Sequence, residues 1–214
     1  MLTVHHLNNS RSHRIVWLCE ELGLEYRLVR HQRRPDNNRS PDSLCQVHPL
    51  GKAPMIEHDG QVITETDAIV EYICNVCAGG RLSRAPGSPE YGPYLQWLAY
   101  SEGSLMTGLA VDLLYAWTGG GNEALMGFFD GEIVRNHQYL EDTLNGRDTI
   151  LKSGFSAPDA VLGWTLEFSE ARGRLKTLPA LRNYLARCRD RDGYRRAVER
   201  GGPNDLSVFS AGAK

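Results

Sequence analysis

The sequence predicts an α/β domain followed by an all-α domain. Three observations carry this: a strand-helix-strand-helix-strand-strand-helix order over the first 77 residues, a Gly-, Pro- and Ser-rich stretch at 79–88, and nearly continuous helical patterning from Pro89 onward. At 214 residues the chain exceeds a typical domain of about 100–150. The expected division is therefore 1–78, a linker at 79–88, and 89–214.

Leu2 to Leu7 reads as a short strand, and Ser12 stands as an N-cap ahead of the apolar helical pattern of Arg14 to Leu22, which Gly23 stops. Glu25 to His31 alternates as a second strand. A polar loop follows through Ser40, then a short helical piece near Asp42 to Gln46. Asp59-Gly60 between two apolar runs signals a hairpin spanning Met55 to Thr64. Ala68, Ile69, Ile73 and Val76 have helical spacing, and Gly79-Gly80 ends that helix. Beyond the linker, helices are expected over about 89–117, 122–145, 157–172, 178–188 and 190–199.

Composition narrows the class. Apolar residues make up 41% and charged residues 23%, the balance of an ordinary globular protein. No run reaches the roughly 18 apolar residues of a membrane span, and no signal-peptide pattern opens the chain, so a cytoplasmic protein is expected. A net charge of −2 gives no global field for nucleic acid or an anionic membrane. Five cysteines, an odd number, suit reduced thiols better than a disulfide framework.

Four blocks together resemble the cytosolic glutathione transferase family over nearly the whole chain. They are Asn8-Asn9-Ser10-Arg11-Ser12-His13-Arg14 with Trp17 to Gly23, His48 to Pro54, Glu65-Thr66-Asp67-Ala68-Ile69, and Phe155-Ser156-Ala157-Pro158-Asp159-Ala160. The last is similar to the family's buried helix-capping box, a structural feature in which Ser156 and Asp159 satisfy each other's backbone amides. The resemblance implies a thioredoxin-like N-terminal domain that binds glutathione as co-substrate, a helical C-terminal domain, and a homodimer. Where the family usually has glutamate-serine this chain has Glu65-Thr66, which keeps the hydroxyl and adds a methyl group.

A thiol with a pKa of about 8.5 is mostly protonated at neutral pH. Lowering that value by about two units requires about 2.7 kcal/mol of preference for the charged sulfur, within reach of one hydroxyl donor and a helix N-terminus. Both converge after the first strand. The resemblance implies that Ser10 donates to the glutathione sulfur, as in serine-type members, with Ser12 the competing hydroxyl. The first strand lacks the tyrosine that tyrosine-type members carry there, and position 10 lacks the cysteine of cysteine-type members, so the resemblance implies conjugation over thiol-disulfide exchange. Lys52-Ala53-Pro54 resembles the family segment in which a cis-proline lets the preceding backbone, here that of Ala53, pair with the cysteinyl part of glutathione, and Pro54 is the only residue of that block suited to a cis bond. Lys52 suits the glycyl carboxylate. Thr66, at a helix start, suits the γ-glutamyl carboxylate, and Glu65 the ammonium. The apolar electrophile is expected against the long helix from Pro89, with Tyr100, Ser104, Met106 and Tyr115 as candidate lining residues.

Other signals read as structural. Cys74 and Cys77 have redox spacing but sit at a helix end with no second pair to complete a metal site. The basic run Arg30 to Arg34 reads as a solvated loop, and adjacent His5 and His6 point to opposite sheet faces and cannot share a metal. No metal is expected. The same site chemistry also admits a glutathione-dependent peroxidase, and the fold admits a non-catalytic glutathione-binding carrier or scaffold.

Overall fold

In the computed structural model, which describes residues 1–209, the chain forms two compact units. The first comprises Met1–Ala85 with Arg189–Asp205, and the second Pro86–Cys188 with the described residues from Leu206. Residues 210–214 of the expected helical domain lie outside the described residues.

The first unit is built on a four-stranded sheet in the order β2-β1-β3-β4. Strand β1 (Leu2–Leu7) runs parallel to β2 (Tyr26–His31) and antiparallel to β3 (Met55–His58), which pairs antiparallel with β4 (Gln61–Thr64). Asp59 and Gly60 both adopt positive φ in the β3-β4 turn, the conformation that a two-residue hairpin requires. Helix α1 (His13–Leu22) follows β1, and Gly23 ends it at φ 61° in the left-handed region. A single turn, α2 (Asp42–Cys45), precedes β3. Helix α3 (Thr66–Tyr72) follows β4 and continues into a π-helical turn over Ile73–Cys77.

Helix α9 (Asp192–Gly201), which falls within the helical stretch expected from the sequence, packs against α1 in the first unit. Ring contacts of Tyr194 with Trp17 and His13 join ion pairs at this interface. Glu20 accepts from Arg196 Nε at 3.2 Å, Arg200 Nη1 at 2.8 Å and the Tyr26 hydroxyl at 2.7 Å. Glu21 receives both arms of Arg191, at 2.8 and 2.9 Å, and the Trp17 indole at 2.8 Å. Such two-pronged pairing fixes orientation as well as proximity. At Gly193 a β-carbon would come within 2.6 Å of a Glu21 carboxylate oxygen, so glycine lets the helices approach.

The second unit is helical. The expected single helix over 89–117 is α4 (Tyr91–Ala99), a π-helical segment Tyr100–Leu105, and α5 (Met106–Trp117). Helices α6 (Glu123–Leu144), α7 (Ala157–Ala171) and α8 (Pro179–Arg189) follow, then a 3-10 turn at Leu206–Phe209. Helix α7 is the core, buried from Ala157 through Ser169. Its polar side chains are bonded internally: Thr165 to Ser101 at 2.8 Å, and Ser169 to His137 at 2.9 Å. Gly108 permits close packing of α5 on α6, because a β-carbon there would meet Ile133 at 2.8 Å.

Candidate active site

The sheet register brings the chain segments singled out in the sequence to one end of the first unit. His5 pairs with Met55 and Met55 with Thr64, so the end of β1, the Ala53-Pro54 approach to β3 and the Glu65-Thr66 exit from β4 share one edge. Leu7, Met55 and Ala53 pack in one small apolar cluster with Leu44 and Val47, which fixes that edge. The Ala53-Pro54 peptide bond is cis, as expected from the sequence. Pro54 is buried, Ala53 half-buried, and Lys52 exposed without an ion pair among the described residues.

Glu65 lies at φ 67° and ψ 127°, a backbone conformation that disfavours any residue with a β-carbon. Residues held in such regions cluster at ligand sites, where surrounding structure enforces them. Thr66, 5% exposed, opens α3, while the Glu65 side chain is exposed.

Ser10 sits between β1 and α1. Its carbonyl accepts from the His13 amide at 3.1 Å and its Oγ from the Ser12 amide at 3.2 Å, so Ser10 starts the helical turn. Ser12 does not cap α1 as expected: its backbone is already helical and its hydroxyl makes no cap bond. Instead Ser12 Oγ reaches back to β1, accepting from the Leu7 amide at 3.0 Å and lying 2.9 Å from His6 Nδ1. The two serine hydroxyls are 2.7 Å apart, and Ser10 Oγ also donates to the Leu7 carbonyl at 2.8 Å. Ser12 is fully buried, whereas Ser10 is 6% exposed.

His6 stands behind this pair. Its Nε2 donates to the Gly201 carbonyl, which leaves Nδ1 as an acceptor for the Ser12 hydroxyl. Burial, with the nearby Arg30 charge, lowers the His6 pKa to about 4 and keeps the ring neutral at physiological pH.

Two residues of this site carry no sequence signal that would have found them. One is His6 as the support of Ser12. The other is Arg33, which reads from sequence as part of a solvated loop and is half-buried as a clamp. Its Nε, Nη2 and Nη1 donate to the carbonyls of Asn8 at 3.1 Å, Asn9 at 3.1 Å and Asn38 at 2.9 Å, and its amide to Asn8 Oδ1 at 2.7 Å. Asn9 adopts φ 51°, so the turn that delivers Ser10 is held from outside. A lysine cannot span three carbonyls. We expect Arg33→Lys to lower kcat/KM about tenfold or more through misplacement of Ser10, measured by steady-state kinetics; an unchanged value would remove the clamp from the site.

The other candidate residues lie in the second unit. Tyr100 and Ser104 are in the π-helical segment; Tyr100 donates to Asn136 Oδ1 at 2.9 Å, and Ser104 is exposed. Met106 is buried at 5% exposure, and the Tyr115 hydroxyl is bonded to Glu123. Cys74 and Cys77 fall in the π-helical turn after α3 as free thiols, and burial pushes Cys74 up to about 12, far from a reactive thiolate. Among the described residues no group of three or more His, Cys, Asp or Glu side chains could hold a metal ion.

Comparison with known proteins gives three concordant findings. Residues 1–75 match the family model described as glutathione S-transferase, N-terminal domain. The chain is 28% identical to glutathione S-transferase 3 of Schizosaccharomyces pombe, over 98% of this chain and 92% of that protein, and 25% identical to glutathione S-transferase 1 of Saccharomyces cerevisiae, over 87% and 93%. A glutathione S-transferase structure from Actinobacillus pleuropneumoniae superposes with a TM-score of 0.89 at 27% identity, covering 98% of this chain and all of that one.

Proposed function

We propose that the chain is a glutathione S-transferase, which transfers electrophilic small molecules to glutathione with Ser10 as the group that stabilises the thiolate; the match of residues 1–75 and the similarity to relatives over nearly the whole chain support this reading. The observation that carries the assignment of Ser10 is its position at the start of the first helical turn, in a residue that keeps 6% exposure beside a fully buried Ser12. The Ser10 hydroxyl proton is engaged by the Leu7 carbonyl or by Ser12 before ligand arrives. Rotating that proton onto sulfur exchanges a neutral acceptor for a charged one, and a hydrogen bond to a charged group is worth about 1.5–3 kcal/mol. Ser12, held by His6 and the Leu7 amide, keeps Ser10 in place while its proton turns.

For the rest of the tripeptide, the Ala53 backbone beside Pro54 pairs with the cysteinyl unit, Lys52 takes the glycyl carboxylate, and Glu65 with Thr66 takes the γ-glutamyl end. Exposure of Lys52 and of the Glu65 carboxylate is consistent with those roles. On the helical unit, Ser104 and Tyr100 are stronger candidates for touching the electrophile than buried Met106, and Tyr115 is engaged by Glu123. The proposed assembly is a homodimer, and the proposed compartment is the cytoplasm. No helix among the described residues is long and apolar enough to cross a membrane.

Titration of bound glutathione, followed by thiolate absorbance in the ultraviolet, tests this reading. The expected result is an apparent thiol pKa well below about 8.5 in the parent protein, returning upward by about one to two pH units in Ser10→Ala. Turnover of Ser10→Ala should fall about 10- to 100-fold at pH 7 and recover toward the parent above pH 9, where the thiol ionises unaided. An equal loss at every pH would reject Ser10 as the thiolate donor; tight binding without turnover over a broad electrophile panel would favour a carrier.

A further inference from the structure

On the sheet face opposite His6, four side chains form an unbroken hydrogen-bonded line from a surface hydroxyl to a carboxylate. Ser43 Oγ lies 2.9 Å from His31 Nδ1, His31 Nε2 lies 3.1 Å from His5 Nδ1, and His5 Nε2 lies 2.6 Å from Glu57 Oε1. Strand order supplies the last three, since β2, β1 and β3 are neighbours and contribute one residue each. Helix α2 supplies the first. His5 and His31 are buried at 4% and 8% exposure, while Ser43 is exposed.

The proton positions follow from the acceptor at the end. An ionised Glu57 can only accept, so His5 carries its proton on Nε2 and presents a bare Nδ1. That nitrogen accepts from His31 Nε2–H, which leaves His31 Nδ1 bare toward the Ser43 hydroxyl. Burial and the neighbouring His5 lower the His31 pKa, which keeps the ring neutral and able to receive a proton. A tether between α2 and the sheet would need one hydrogen bond in either direction. Here every donor points from the surface hydroxyl toward the carboxylate, and a hydroxyl within reach of a base that a third group orients is the arrangement of an activated nucleophile.

We propose that Ser43 is a second nucleophilic site, which takes an acyl group from activated carboxylic esters. Ser43 Oγ attacks the carbonyl carbon and forms the new O–C bond as its proton passes to His31 Nδ1. The resulting imidazolium faces His5, whose far nitrogen is held by Glu57, so the positive charge is compensated along the line. The ester C–O bond breaks and the leaving alcohol takes the proton back from His31. Water then attacks the acyl carbon as its proton passes to His31, the Ser43 Oγ–C bond breaks to release the carboxylic acid, and His31 returns the proton to Ser43 Oγ.

Cys45, exposed two residues away, would itself react with an ester, so the test uses an alkyl fluorophosphonate on the full chain. With that probe the Ser43 Oγ–P bond forms, the P–F bond breaks, fluoride leaves and the proton stays on His31. The expected result is one phosphonyl group per chain, mapped by mass spectrometry to Ser43 and absent in Ser43→Ala. Labelling should slow about 100-fold in His31→Gln, the scale of general-base assistance, and about tenfold in Glu57→Gln. No adduct at Ser43, or an adduct formed as fast in His31→Gln as in the parent, overturns the proposal. Should His31→Gln fail to fold, Glu57→Gln decides, because that side chain is half exposed and the amide keeps its size; an undiminished rate there overturns the proposal equally.

Discussion

Replacement of Asp159 by alanine is expected to lower the free energy of unfolding by about 4 kcal/mol or more, the largest single-residue effect the second unit should show. The side chain is fully buried. Its Oδ1 accepts from the Ile150 amide at 2.8 Å and the Tyr184 hydroxyl at 2.8 Å, and its Oδ2 from the Ser156 amide at 2.8 Å and hydroxyl at 2.9 Å. Burial pushes the carboxyl pKa up against the pull of these four donors, so the group is costly to keep and more costly to remove. Alanine strands two amides and two hydroxyls in a dry interior, each at about 1–3 kcal/mol, with partial relief where a hydroxyl can rotate. It also removes the capping box of α7, the helix around which this unit is packed. Asn keeps one acceptor but turns an NH2 toward the Ser156 donors, so Asp159→Asn should recover about half of the loss. Urea unfolding followed by circular dichroism measures both. A loss below about 1 kcal/mol in the alanine variant would show that the donors find other partners.

This box was legible in the sequence because its chemistry is local: a hydroxyl, a carboxylate three residues on, and a proline at the helix start. The same holds for Asp59-Gly60, where two positive φ values demand such residues, and for Gly23 at the end of α1. The parts that were not legible depend on residues far apart in the chain. Arg191, Arg196 and Arg200 carry a sequence signal of sorts, basic residues at near-helical spacing, yet nothing in their own neighbourhood says that they meet Glu20 and Glu21. Without that pairing α9 reads as one more helix of the second domain. Arg33 was hidden for the same reason, because its acceptors are backbone carbonyls, which every residue has. At Ser12 the local rule itself misled. A serine ahead of an apolar helical run suits a cap, but two serines were available, and Ser10 took the cap geometry while Ser12 turned inward to β1 and His6. The π-helical segments at Tyr100–Leu105 and Ile73–Cys77 carry no signal that separates them from an ordinary helix.

The second large effect is expected on acidification, and it too follows from buried polar groups. His13 opens α1 fully buried, with neither ring nitrogen hydrogen-bonded among the described residues and with the edge of Tyr194 packed against it at 5.4 Å between ring centres. Burial, then the neighbouring His6 and Arg14, lower its pKa to about 3, and His6 itself is lowered to about 4. In the unfolded chain both return to about 6.5. Between pH 6.5 and pH 4 the unfolded state therefore binds more protons than the folded one, so stability rises with pH across that window and is lost as pH falls through it. A tenfold difference in proton affinity between the two states is worth about 1.4 kcal/mol, so His6 alone accounts for about 3 kcal/mol by pH 4 and His13 for a similar amount. Asp159 acts in the opposite direction, because its raised folded pKa makes the folded state take up a proton first on acidification. Urea unfolding at pH 7, 5.5 and 4.5 should show a steady fall of several kcal/mol, and His13→Phe should roughly halve it, since the phenyl ring keeps the contact with Tyr194 and has no proton to gain while His6 still contributes. If the variant falls as steeply as the parent between pH 6.5 and 4.5, His13 is not a source of the acid sensitivity, and the remaining slope belongs to His6 and the site it supports.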